Sequence, residues 1–372
     1  MFDTMFGRIV VGDHPYTYAR VCAMKGKLIE REQYNRLLKM RVNEILKFLQ
    51  ETNYKQEIDE MAVTHLGIGA VEKVLDKNLV RTLRKLKRIS GGSLGVVISK
   101  YLERYDLHNL KTVLRGKFTG SSEEKIEGML LNVGAVRKQF LLALARKNSI
   151  GEMVHDIERM LAQETPDEKA RQALRGAFAG ASDAFRKQNN LFEIENVLDH
   201  HYYASLLEFT QHIAGQGALF KNFLLHEIDV LNLRVLLRLK REKIKPEEIE
   251  KYLFFSGATL SKETLRRLLK IEELDQLVEE IKRRGFCKKM DAEKKERGDK
   301  EKERSLIDIE THLQHYLLEK ANLLMHQHLL TINVILGYML AKEIEVRNLK
   351  ILVKGKHLGL PEEFLGRELI AR

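Results

Sequence analysis

Tryptophan is absent from this chain, and its 372 residues contain four prolines and two cysteines. Scarce proline removes the strongest helix breaker, and no convincing strand-like run occurs, so the expected fold class is all-α. Cys22 and Cys287 are too few and too far apart to suggest a disulfide framework or a paired-cysteine metal site. They read as packing residues in a reducing compartment. A Walker-type glycine loop and a nucleophile elbow are both missing, so no catalytic residue, cofactor or metal is expected. The opening stretch, MFDTMFGRIVVGDHPY, carries an early acid and only a short apolar run, unlike a secretory signal. One uncharged stretch, 321–341, is long enough for a membrane span, yet it holds Asn322, His326, Gln327, His328, Thr331 and Asn333. A central buried helix is the expectation there.

What the chain has instead is internal repetition. The stretch DLHNLKTVLRGK at 106–117 returns as DVLNLRVLLRLK at 229–240 and as EVRNLKILVKGK at 345–356. Each copy places an acid first (Asp106, Asp229, Glu345), Asn at +3 (Asn109, Asn232, Asn348) and a base at +5 (Lys111, Arg234, Lys350). The repeat extends upstream, as VEKVLD at 71–76, IENVLD at 194–199 and IETHLQ at 309–314. Downstream, EEKIEGMLLNVGA at 123–135 matches PEEIEKYLFFSGA at 246–258, and PEEFLGREL at 361–369 begins the same way. A period above a hundred residues means related domains rather than a short-repeat solenoid. Three similar helical domains are expected, at 1–134, 135–257 and 258–372. An acid and an Asn three apart share a helix face and can bond each other or pin a neighbouring helix. An active site would need only one copy, so a structural role is expected for all three.

Periodicity places helices at about 16–28, 32–50 and 71–88, with the first motif inside a helix starting near Leu94. In the second domain it places helices at about 135–146, 151–163, 166–178, 193–212 and 218–240, with a Gly/Ala-rich break after the third. Pro166, Pro246 and Pro361, each followed by two acids, read as helix starts, and Ser122-Glu-Glu does the same work without proline. The helix at 71–88 is basic and amphipathic: Arg81, Arg84, Lys85 and Arg88 accompany Leu79, Leu83 and Leu86. A solvated face above a buried stripe is the plain reading, and a docking surface for an anionic partner is the sharper one. The second domain does not copy this strip. Residues 288–304 hold eight bases, six acids and almost nothing apolar, which marks a solvated linker or a frayed helical extension, a polybasic lipid-binding role being the weaker reading because acids are interleaved throughout. His200 with His201, and His326 with His328, do not converge on a helix; His312 and His315 could, but surface or core histidine is the simpler reading.

A net charge of +11 admits nucleic acid, acidic lipid or acidic protein as partners. The identity of the chain is suggested by YTYARVCAMKGKL near the N-terminus, YDLHNLKTVLRGK, HEIDVLNLRVLLRLK and NVILGYMLAKEIEVRNLKILVKGKHLGLPEE. Over nearly its whole length it resembles the C subunit of archaeal and bacterial A/V-type rotary ATPases, the relative of the d subunit of eukaryotic V-type enzymes. The one departure is the charged stretch 288–304. The resemblance implies three domains related by pseudo-threefold symmetry in a funnel. It implies a non-catalytic rotor component, peripheral on the cytoplasmic face of the membrane, between the D and F subunits of the central stalk and the proteolipid c-ring. Such a component transmits torque between ATP hydrolysis or synthesis and proton or sodium transport, and takes no nucleic acid or small-molecule substrate. The rival class is a basic helical-repeat module binding nucleic acid through Arg81, Arg84, Lys85 and Arg88, although no aromatic platforms interleave that strip.

Overall fold

The computed structural model describes residues 9–61, 68–165, 167–287 and 306–370. In chain order its elements are β1 (Ile9–Val11), α1 (Pro15–Lys25), α2 (Arg31–Leu37), α3 (Val42–Gln50), α4 (Lys55–Met61), α5 (Ile68–Ile89), α6 (Gly92–Leu102) and α7 (Arg104–Phe118). Then follow α8 (Glu123–Met129), α9 (Lys138–Ala145), α10 (Ile150–Glu164), α11 (Glu168–Gln188), α12 (Phe192–Gln211), β2 (Ile213–Gly215) and α13 (Gly217–Arg241). The rest is α14 (Pro246–Glu250), α15 (Lys262–Lys270), α16 (Leu274–Arg283), α17 (Leu306–Gln327), α18 (Ile332–His357) and α19 (Glu362–Glu368). The fold is all-α, as composition indicates, except for one pairing that the sequence did not betray. Strands β1 and β2 run parallel, with Ile9 opposite Ile213 and Val11 opposite Gly215. Three residues a side are too short to show an alternating pattern.

The chain packs as two units, Met1–Gly12 with Val80–Ala218 and Asp13–Leu79 with Leu219–Arg372. In the first, α7 to α12 enclose one apolar core around Val113, Leu141, Met153, Ile157, Phe178 and Ile194. In the second, α18 is the hub, packed by α1, α3, α17 and α19. From Ile332 to Ala341 every residue of α18 is buried. An uncharged half-helix of that kind has no polar face to give to water, so neighbours cover it all round. Its last turn carries Lys354, Lys356 and His357, which suit the negative end of the helix dipole.

Several boundaries depart from the periodic reading. The stretch expected as one helix at 32–50 is α2 and α3, because the Glu44 carboxylate reaches back to the Arg41 backbone N–H at 2.7 Å and starts a second helix. The helix through the first motif is interrupted at Glu103, where Asp106 N–H bonds Glu103 C=O in a tightened turn. By contrast α13 and α18 run through their motifs unbroken. The Gly/Ala-rich stretch does not break α11, which continues to Gln188 and ends on Asn189 at φ 48°. Alanine favours the helix, and buried Leu174, Phe178 and Ala181 tie it to the core despite two glycines. The uncharged run 321–341 is divided between α17 and α18 by a turn containing Leu330 at φ 61°. Among the described residues no helix is long and apolar enough to cross a membrane. Ser122 caps α8 by accepting the Lys125 N–H, Pro246 opens α14, and Pro361 immediately precedes α19. Pro166 and the linker 288–304 lie outside the described residues.

Candidate functional site

The three repeated Asn side chains hold backbone, each at a residue 22 positions on. Asn109 Nδ2 donates to the Leu131 carbonyl at 2.9 Å while its Oδ1 accepts the Leu131 N–H at 2.8 Å. Asn232 makes the same pair with Phe254, at 2.7 and 2.8 Å. Asn348 makes it with Ile370, at 2.7 and 3.0 Å. All three are buried, so the amide supplies the donor and the acceptor that an isolated extended residue lacks in a core.

The repeated acids hold backbone too. Asp106 accepts the N–H groups of Ala135 and Val136 at 2.6 and 3.0 Å. Asp229 accepts those of Thr259 and Leu260 at 2.7 and 3.1 Å. The carboxylates fill the space where a Cβ on Gly134 or Gly257 would stand, which accounts for the Gly-Ala pairs closing both downstream stretches. Burial pushes both Asp carboxyls up from their ordinary pKa, and the backbone N–H groups oppose it. At the third motif the acid is a Glu, and its partners lie elsewhere. Glu345 accepts the N–H of Ile29 at 2.7 Å through Oε2, and through Oε1 the Tyr54 hydroxyl and the Lys342 ammonium, each at 2.7 Å. The Lys342 ammonium also lies 4.2 Å from the Tyr54 ring centroid. Burial, and then the charge of Glu345, push the Tyr54 hydroxyl pKa well up.

The motif bases reach the acids of the upstream stretches. Lys111 binds Asp199 at 2.6 Å, and Arg115 makes a two-point contact with Glu195. Arg238 grips Glu310 the same way, and Arg234 approaches that carboxylate at 3.6 Å. Lys350 binds Asp76 at 2.6 Å and Lys354 binds Glu72 at 2.7 Å. So the first motif meets the second upstream stretch, the second meets the third, and the third meets the first. Tyr54, Lys342 and Ile29 escape a sequence reading because nothing repeats them. The upstream acids were within reach of one, since they recur four residues apart just as the motif bases do, apart from Gln314 in the third copy.

On α5, Leu79, Leu83 and Leu86 are buried and Arg81, Arg84 and Arg88 are exposed, with Lys85 half-buried. Arg84 Nε donates to the Asn132 carbonyl at 2.9 Å, which fixes one guanidinium of the row. The His312 and His315 rings lie 6.3 Å apart, and no cluster of metal-ligating side chains occurs among the described residues.

Residues 17–368 match the family model for the ATP synthase (C/AC39) subunit. The chain is 35% identical over 364 residues to the C subunit of the A-type ATP synthase of Methanosarcina mazei, covering 96% of this chain and 94% of that protein. It is 33% identical to the protein of the same name from Methanococcoides burtonii, over 96% and 94% of the two chains. The Archaeoglobus fulgidus protein of that name is 31% identical, over 95% of each.

Proposed function

The chain belongs to the ATP synthase (C/AC39) subunit family, and on that premise we propose that it couples a central shaft to a membrane-embedded proteolipid ring in an A/V-type ATP synthase. It is a structural subunit of such a complex rather than the catalytic one. In the proposed role it sits on the cytoplasmic face and receives the D and F subunits of the shaft. Torque passes through it between nucleotide chemistry and proton or sodium movement.

The observation that most supports this reading is the bracing of the three motif helices. Each is pinned through an acid and an Asn to backbone, and through its bases to an upstream acid. A protein that passes on torque must transmit strain rather than absorb it, and close-packed elements with satisfied polar contacts do so. The exposed row Arg81, Arg84 and Arg88, with Lys85 beside it, is the surface proposed to meet an acidic partner, the shaft.

Exposed charges steer association and each contributes little, about 1 kcal/mol or less, so a single change is expected to be nearly silent. Reversing Arg81, Arg84, Lys85 and Arg88 together to Glu is expected to weaken binding to purified D–F shaft while the helical circular-dichroism spectrum is kept, because the leucine stripe remains although the Arg84–Asn132 bond is lost. Normal shaft binding by the quadruple variant, with tight binding of RNA or duplex DNA by the wild type at physiological salt, would turn the strip into a nucleic-acid surface instead.

A further inference from the structure

Where α13 meets α17, guanidiniums gather around a place that lacks its acid. Arg238 grips Glu310 with two bonds, and Arg234 approaches the same carboxylate at 3.6 Å. The other two copies of this contact offer two acids four residues apart, Glu72 with Asp76 and Glu195 with Asp199, and each acid receives its own base. Here the second acid is replaced by Gln314, whose Oε1 is buried without a partner. Positions 310 and 314 share a helix face one turn apart, so the gap lies next to Glu310.

A third guanidinium enters from α18. Arg347 Nη2 donates to Thr311 Oγ1 at 3.4 Å, and Thr311 stands one turn before Gln314 on the same face of α17. Arg347 Nη1 is buried with no hydrogen-bond partner, and among the described residues no carboxylate is in ion-pair contact with this side chain. Burial pulls the Arg347 pKa down, Glu368 opposes that, and the like charge of Arg234 adds to the fall, which puts the two guanidiniums in one neighbourhood. Two further acids stand near, but not in the gap. Glu368 accepts the Thr311 hydroxyl at 3.2 Å, a turn back from Gln314, and Asp308 is about 9 Å back along the helix axis. A buried N–H on a charged group is costly to leave unmet, and more so beside a second cation.

We propose that a small free oxyanion binds in this gap, between the guanidiniums of Arg347 and Arg234 and the side-chain amide of Gln314. Guanidinium forks match the paired oxygens of a carboxylate or a phosphate. A half-turn of the Gln314 amide presents Nε2 to the ion as a donor. The anion replaces the carboxylate that Asp76 and Asp199 supply in the other two contacts, and completes the joint between the second motif and the third upstream stretch. It reaches the site from solvent past Arg234 and Arg238, whose side chains are 33% and 55% exposed. No partner subunit enters the site, so the isolated full chain is enough to test it.

Equilibrium dialysis against labelled inorganic phosphate, in chloride buffer of fixed ionic strength near neutral pH, is expected to show one phosphate bound per chain. Sulfate is expected to displace it and added chloride is not. Gln314→Glu sets a carboxylate in the gap, so it is expected to lose phosphate binding while melting no lower than the wild type in chloride. Arg347→Lys keeps the charge without the fork, and is expected to weaken binding about tenfold or more through the loss of a charge-assisted bond. Circular dichroism checks that both variants keep their helices. The inference fails if the wild type binds no phosphate, or if either variant binds it as tightly as the wild type does, which would place the ion elsewhere on a basic chain. It fails too if the wild type ignores free phosphate and instead holds phosphatidic acid vesicles, with Gln314→Glu abolishing that, because the site would then read a lipid headgroup.

Discussion

Glu345 Oε2 accepts the backbone N–H of Ile29 at 2.7 Å, across 316 positions of sequence. The corresponding acids Asp106 and Asp229 hold backbone only about thirty positions downstream. The third motif is therefore completed from the other end of the chain, and a longer acid, a tyrosine and a lysine replace the second backbone N–H.

That substitution pairs Lys342 with Glu345 at 2.7 Å where both are almost wholly buried, with the Tyr54 hydroxyl accepting from the same ammonium at 2.9 Å. Removing one member of a buried ion pair strands the other charge, so Glu345→Gln is expected to cost about 3–5 kcal/mol in urea denaturation. The double variant Lys342→Met with Glu345→Gln is expected to recover part of the loss, because it removes the stranded charge. A double variant no more stable than Glu345→Gln alone would show that the cluster matters for packing rather than for charge.

Changing Asn109, Asn232 or Asn348 to Leu strands one N–H and one carbonyl of the residue it holds, buried at Phe254 and Ile370 and part-buried at Leu131. Each change is expected to cost about 1–3 kcal/mol, with Asn109 at the lower end because water reaches the groups it leaves. Melting curves indistinguishable from wild type, together with lost shaft or ring binding, would make these residues contacts instead of pins.

The helices and the threefold recurrence were legible because they rest on local periodicity and on identical residues at fixed offsets. The partners of the recurring residues were not. Nothing in the spacing of Asp106 and Asn109 says that one holds Val136 and the other Leu131, since both contacts form only when the chain folds back. The turn at Leu330 was hidden for another reason. An apolar, uncharged run reads as continuous helix, and a left-handed leucine leaves no mark in composition, whereas Gly92 and Gly215 announce theirs.

Acidification tests the balance at Asp106, where burial raises the carboxyl pKa and two backbone N–H groups oppose it. A carboxyl whose folded pKa lies above its unfolded value binds protons more readily when folded. Its contribution to stability therefore grows as pH falls through the folded pKa and is complete below the unfolded one. Asp106→Asn cannot titrate, so the wild type's advantage over it, measured in urea, is expected to widen from about pH 7 to about pH 4. An advantage that shrinks over that range would mean the N–H groups outweigh burial.

Gln314 marks the one gap in the ionic pattern. Asp76 and Asp199 occupy the same place in the other two upstream stretches, and they receive Lys350 and Lys111 at 2.6 Å. Gln314 has a buried Oε1 without a partner, while Arg234 and Arg238 share Glu310. Gln314→Glu keeps the side-chain shape and offers Arg234 a second carboxylate. It also sets two acids four residues apart, as the other two stretches already do. The gain is expected to be about 0.2–1 kcal/mol, because Arg234 is partly exposed and solvent screens the pair. Combining the change with Arg234→Met in a double-mutant cycle isolates the pair from any general charge effect. A gain that survives the loss of Arg234 would assign it to another cation nearby, and Arg238 would be the next residue to remove.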